Sequence, residues 1–313
     1  MAMEFARPNS LLKLGVELLT SANRTVLWRI MRAVGDDEFA EDQQQMRRTD
    51  LSPDARRDTM RKFLRKLKPL GADDGEEWRF SPIGVMSHCE RDHLNVGQIK
   101  AFAEAFNLPL FCWRLPFTEA FAGLMEPGEE DETLAEEPAA YGWFCEGFPI
   151  LIANTIRSTR KLVNGTPGLL DSMAFKEDRI PPDVRDTQGY MGPVELKGED
   201  VPLCINARVS GGLWHGVPLD DLSGLVKSVV DSAVVIPLFM RDEEEEVDLY
   251  SVRAAQRGLP GKVMVTSHGY LLAAALTDFK LQGRTLPRLL LNLGPRPQLP
   301  WISMNAFYVF ISR

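Results

Sequence analysis

A chain of 313 residues, 44% hydrophobic and 26% charged, can bury a substantial core and hold two structural units, and it is neither disordered nor fibrous in composition. Its formal net charge of −8 excludes generic polyanion binding, so any nucleic-acid contact must come from a local basic patch. The four cysteines (Cys89, Cys112, Cys145, Cys204) form no CxxC pair, the N-terminus is a poor signal peptide, and no run approaches the roughly 18 apolar residues of a membrane span. The expectation is a soluble intracellular protein, nuclear or cytoplasmic, without a disulfide framework or a membrane partner.

In chain order, residues 10 to 33 read as helical. A second helix follows Ser52-Pro53, a cap-and-first-turn signal, with Met60, Phe63, Leu64 and Leu67 at i, i+3, i+4 and i+7. Residues 46 to 68 carry nine Lys/Arg against three Asp, which reads either as a solvated face or as a phosphate-contacting edge. Residues 1 to 77 are thus expected to form a helical N-terminal segment. WRFSPIGVMS (78 to 87) reads as a strand, ERDHLNVGQIKAFAEAFN (90 to 107) as a helix striped by Ile99, Phe102, Ala103 and Phe106, and LPLFCWRL (108 to 115) as a second strand. Strand, helix, strand in so short a stretch predicts a βαβ unit on a parallel sheet. The acidic run 126 to 137 reads as a solvated loop or boundary.

Beyond Phe148 the pattern changes. FPILIAN, VPLCINARV and SAVVIPLFM are short apolar runs rich in Val and Ile, punctuated by Gly, Pro and Asp, which predicts a small β-barrel over 151 to 262. The run RDEEEEVD (241 to 248) reads as a loop or hairpin tip. YLLAAAL (270 to 276) returns to buried-strand character, TLPRLLLNL follows a polar turn, and the chain ends on AFYVFISR.

The strongest signal is the compact cluster of Thr277, Asp278, Lys280, Gln282, Gly283 and Thr285, fed by the apolar run before it. The C-terminal end of a parallel strand is where α/β folds place their sites. A helix or turn starting there offers N–H groups to phosphate, and Gly283 allows close approach. His88, Cys89 and His93 lack a fourth ligand and zinc-type spacing, so no metal site is expected.

T-x-x-K-x-Q-G-x-T-L, residues 277 to 286, resembles motif V of the Pif-one-like superfamily-one 5′-to-3′ DNA helicases, the group of the RecD-like and Helitron helicases. Tyr308-Val-Phe-Ile-Ser-Arg313 resembles motif VI, Val85 to Asn95 resembles motif IV, and Leu162 to Gly168 resembles the N-G-T/S-x-G element that opens an inserted Src-homology-type (SH3-like) barrel. The resemblance spans roughly residues 45 to 313 and is weak through 170 to 262. It implies an α/β fold, a RecA-like P-loop-NTPase-type second motor domain built from 78 to 150 and 263 to 313, with the barrel inserted between.

It further implies that Arg313 is catalytic, reaching the γ-phosphate, a role that suits a planar, permanently charged guanidinium. Lys280, Gln282, Gly283 and Arg91 would bind nucleotide. Ser87, Asn95, Asn164, Thr277, Asp278 and Thr285 would lie at single-stranded DNA, and ATP and Mg²⁺ would be the cofactors. No G-x-x-x-x-G-K-[ST] occurs in the sequence, and Gly258-Leu-Pro-Gly-Lys262 fails in spacing and is followed by Val263. The chain therefore supplies no Mg²⁺ site, both its ends read as truncated, and it is expected to be inactive alone, needing a Walker-A-bearing first domain in cis or trans. A non-catalytic single-strand-binding module and a decayed transposon-type helicase fragment remain as alternatives.

Overall fold

The computed structural model describes most of residues 52 to 66, 78 to 118, 137 to 210, 233 to 250, 258 to 291 and 304 to 311, together with isolated residues between these stretches. The helix expected over 10 to 33 and most of the acidic run 126 to 137 lie outside the described residues. The chain divides into two units, one of residues 1 to 67 and one of residues 68 to 311.

The first unit contributes helix α1, Pro53–Lys66. The Ser52 hydroxyl accepts from the Ala55 amide at 3.2 Å, the cap the sequence predicts, and Pro53 costs no hydrogen bond in the first turn. Two cations of its basic face are paired within the helix, Arg57 to Asp54 and Arg61 to Asp58, at exposed positions where such pairs add little stability.

The second unit is a mixed α/β assembly. Strand β1 (Ile83–Val85) leads into the 19-residue helix α2 (His88–Phe106), then β2 (Leu110–Arg114). There follow β3 (Tyr141–Phe144), β4 (Pro149–Ile152), β5 (Pro167–Ala174), the short helix α3 (Pro182–Asp186), β6 (Pro193–Leu196) and β7 (Cys204–Ser210). The remaining elements are β8 (Ser228–Val230), β9 (Ala233–Phe239), β10 (Glu245–Asp248), β11 (Lys262–Val265), β12 (Tyr270–Leu272), β13 (Ala275–Thr277), α4 (Asp278–Leu281), β14 (Leu290–Leu291) and α5 (Met304–Ile311).

Four sheets organise these strands: parallel β13-β1-β14, antiparallel β10-β11, antiparallel β12-β4-β5-β7-β9-β8, and β3-β2-β6. The expected βαβ unit is corrected here. Its strands and helix form, but β1 pairs with β13 and β14, whereas β2 pairs with β3 and β6 in another sheet. The buried run 110 to 113 of β2 needs cover on both faces, and neighbours from residues 141 to 144 and 193 to 196 complete its ladder.

The six-stranded sheet stands where a barrel is expected. Its strands run open from β12 to β8, with no pairing between those two edges among the described residues. RDEEEEVD contributes strand β10, paired antiparallel with β11, rather than a tip alone. YVFISR is helical through Ile311.

The run YLLAAAL is divided between two sheets. Residues 270 to 272 pair with β4, and residues 275 to 277 pair with β1. At the crossing, the Ala273 amide donates to the Pro149 carbonyl at 2.9 Å and the Ala274 carbonyl accepts from the Ile83 amide at 2.7 Å. The main core gathers Ile99, Trp113, Phe148, Ile152, Leu170 and Ile236, and a smaller one gathers Leu151, Leu276, Leu281 and Phe310. Gly84 sits where β1 meets that smaller core: a Cβ there would lie 2.9 Å from the Phe310 ring and 3.0 Å from Leu291.

Candidate functional site

Strands β1 and β13 run parallel with Val85 opposite Thr277, so the chain segments that follow them leave the sheet at the same edge. One segment opens α2 and the other opens α4. This is the carboxyl edge at which open α/β sheets hold their ligands.

The opening of α2 is closed on itself. The Ser87 hydroxyl accepts from the Glu90 amide at 3.2 Å, and the Glu90 carboxylate accepts from the Met86 amide and the Ser87 hydroxyl, each at 3.2 Å. This is a capping box shifted by one residue, with Glu90 reaching the amide before the cap, and its own carboxylate already occupies the positive end of the helix dipole. One turn on, Arg91 grips Asp92 through two parallel bonds, Nε to Oδ1 at 2.7 Å and Nη2 to Oδ2 at 3.0 Å. Asp92 also accepts from the Tyr250 hydroxyl at 3.4 Å. Burial and the neighbouring Asp92 and Asp248 carboxylates raise the Tyr250 pKa well above its usual range, so its proton stays on.

Asn95, expected at the DNA, is only 3% exposed and bonded within the protein. Its amide donates to the carbonyls of Leu272 and Ala275 at 2.9 and 3.1 Å and accepts from the Ala275 amide at 2.7 Å. Those bonds hold the crossing between β12 and β13.

At the second segment, Thr277 is buried and begins α4, a single turn. Asp278 accepts from the Phe279 amide at 2.9 Å. One turn carries little macrodipole, so side chains rather than the helix end must supply any anion affinity. Lys280 donates to the Asn164 side-chain oxygen at 2.6 Å, which joins two residues that lie 116 positions apart in the sequence. Burial, with the charges of Arg91 and Arg284, lowers the Lys280 pKa.

Arg284 escaped the sequence reading because the position is a free x in Q-G-x-T. It donates to the Lys280 carbonyl at 2.7 Å and, very closely, to the Gly165 carbonyl. Gly165 lies at φ +92°, where a side chain would be strained. Asn164 and Gln282 are exposed. Gly283, Thr285 and Arg313 lie outside the described residues.

The edge therefore gathers Arg91, Lys280, Arg284 and Asn164. A cavity of about 110 Å³ takes in Arg91 together with Asp92, Asn95, Tyr141, Trp143 and His268, while Lys280, Asn164 and Gln282 stand outside it. Among the described residues no three His, Cys, Asp or Glu side chains converge as a metal site would need, and no helix is long and apolar enough to cross a membrane.

No family model matches the sequence, and no curated protein matches it. Among solved structures the chain is similar to Pif1 helicase from Candida albicans, at 17% identity and a TM-score of 0.47, covering 93% of this chain and 54% of that one. It is also similar to Bacteroides Pif1 bound to ssDNA, at 13% identity and a TM-score of 0.42, covering 91% of this chain and 48% of the other. A third similarity is to Pif1 helicase from Bacteroides in complex with ADP-AlF3 and ssDNA, at 13% identity and a TM-score of 0.40, covering 89% and 47% of the two chains. The chain spans about half the length of the solved helicase chains that it matches.

Proposed function

We propose that this chain is the second motor half of a Pif1-like DNA helicase. It would bind phosphate groups of nucleotide and single-stranded DNA at the edge formed by β1 and β13. The observation that carries the reading is the meeting of Lys280, Arg284 and Arg91 with Asn164 at that edge, in an otherwise acidic protein. Arg91 is already paired with Asp92, whereas Lys280 and Arg284 bind neutral oxygens, and an anionic ligand relieves the repulsion between those two cations.

The parallel pairing of residues 83 to 85 with 275 to 277 and 290 to 291 supports a RecA-like domain assembled from 78 to 150 and 263 to 313. The antiparallel strands of 151 to 262 would be its insertion. Lys280 and Arg91 would face nucleotide phosphate beside Gln282 and Gly283, and Asn164, Asp278 and Thr285 would lie toward the DNA, while the buried Thr277 would support them from beneath. ATP hydrolysis would need a Walker-A-bearing first domain to supply the phosphate cradle and Mg²⁺, with Arg313 as this chain's catalytic contribution. In that joined form, Arg313→Ala abolishes ATP turnover and leaves DNA binding in place.

Titration of the purified chain with a fluorescent dT oligonucleotide at several salt concentrations tests the reading. Binding weakens steeply with salt, and Lys280→Ala lowers the salt slope by about one counterion. Binding indifferent to salt and to Lys280→Ala refutes it.

A further inference from the structure

We propose that Arg284 is a positioning residue: it locks the turn at Asn164–Gly165 to the α4 turn, and phosphate competes with Asn164 for Lys280 across that lock. The inference rests on the reading of this edge as a phosphate site, and it adds a residue and a mechanism to it.

Two sets of hydrogen bonds join the segments, and they differ in kind. Arg284 binds backbone on both sides, the carbonyls of Gly165 and Lys280. A guanidinium reaches two carbonyls at once because its donors are fixed in a planar fork, and a lysine in its place keeps the charge and loses the bridge. Neither carbonyl can leave without breaking a charge-assisted bond. Lys280 instead binds a side chain, the Asn164 oxygen, and both of those residues reach solvent. An ammonium held by a neutral amide oxygen gains when an anionic oxygen replaces it. The first set is the fixed part, and the second is the exchangeable part.

The Asn164–Gly165 turn is itself well tied. The Gly165 amide donates to the Ile152 carbonyl at 2.8 Å, and Thr166 exchanges hydrogen bonds with Val163. Ile152 belongs to β4 and Lys280 follows β13 directly. Capture of Lys280 by phosphate therefore releases the Asn164 side chain at the end of the six-stranded sheet, while Arg284 keeps the two turns in register. The transferable unit is one hydrogen bond of Lys280, and no covalent step is involved.

Pyrophosphate and a dT oligonucleotide share the phosphate chemistry and distinguish a nucleotide source from a DNA source. With the full chain, Arg284→Lys weakens binding of whichever probe the wild type prefers by about tenfold, as much as Arg284→Ala does, although it retains the charge. Asn164→Ala strengthens pyrophosphate binding severalfold, because it removes the competitor for Lys280. Hydrogen exchange provides the readout that needs no ligand: in Arg284→Lys the amides of residues 163 to 166, more than a hundred positions from the substitution, exchange about tenfold faster. Unchanged protection there overturns the lock, as does affinity in Arg284→Lys equal to wild type. Unchanged or weaker pyrophosphate binding in Asn164→Ala overturns the competition, as does a wild type that binds only the oligonucleotide. If the wild type binds neither probe, the phosphate site fails while the exchange result still decides the role of Arg284.

Discussion

Asn95 carries three buried polar obligations at once. Its amide satisfies one backbone N–H and two carbonyls at the point where one apolar run passes from one sheet to another. Replacement by leucine leaves those groups buried and unpaired, at about 1–3 kcal/mol for each unsatisfied group. Urea unfolding should show Asn95→Leu losing at least about 2 kcal/mol; a loss under half of that would mean the crossing holds by packing alone. Gly84 has a steric obligation instead. The Phe310 ring and Leu291 leave no room for a methyl group, so Gly84→Ala should cost about 1–3 kcal/mol in the same assay, and a neutral substitution would show that α5 shifts freely. At this scale the sequence marks which residues matter more readily than how. Asn95 stands out beside Ser87 and Arg91 in a motif-like stretch, yet only the fold reveals that its partners are backbone groups some 180 residues away.

Among the elements, α2 was the most legible, because it is long and striped; its cap, Ser87 with Glu90 three residues on, reads in the sequence as the end of a strand instead. Its ends in the structure fall within two residues of expectation, and the αL residue that terminates it, Asn107 at φ 49°, is of a type that tolerates that conformation. Ser87→Ala should lower thermal stability by the equivalent of about 1 kcal/mol with little change in oligonucleotide affinity. A large affinity loss at unchanged stability would instead give the hydroxyl a direct ligand contact. Strands β2, β4, β7 and β9 were legible singly, whereas β3, β5, β6, β10 and β11 were not, and no pairing was. Hydrophobic runs specify burial, but β2 and β1 carry nothing in their own residues that assigns them to different sheets, since partner choice is settled by segments far along the chain. The run YLLAAAL shows the limit most clearly: seven apolar residues read as one strand, and the turn that divides them contains neither Gly nor Pro.

At the scale of the whole molecule, the mixed α/β class and the place of the polar cluster of residues 277 to 282 at the carboxyl end of a parallel strand were both legible, because they depend on local pattern. Arg284 was not, since its role exists only once residue 165 is brought beside it. His268 gives the molecule a pH response of its own. Its Nε2 donates to the Pro202 carbonyl, its ring meets Trp113 edge-on, and burial lowers its pKa from 6.5 to about 4. A folded-state pKa below the unfolded value means that the stabilisation is whole above pH 6.5 and is lost as the pH falls toward 4, about 3 kcal/mol in all. Urea midpoints measured between pH 7.5 and 4 should fall less steeply in His268→Gln than in wild type; parallel curves would show that carboxylates alone set the acid response.

The division of residues 270 to 276 between two sheets also decides how this protein can be cut. Strand β4 has β12 on one side and β5 on the other. A fragment that ends after the antiparallel strands, near residue 262, would therefore strip β4 of its outer neighbour and present the apolar PILI ladder as a bare edge, open to pairing with another copy. Such a piece should aggregate where the longer chain does not, so the six-stranded sheet is best carried together with the segment through Thr277.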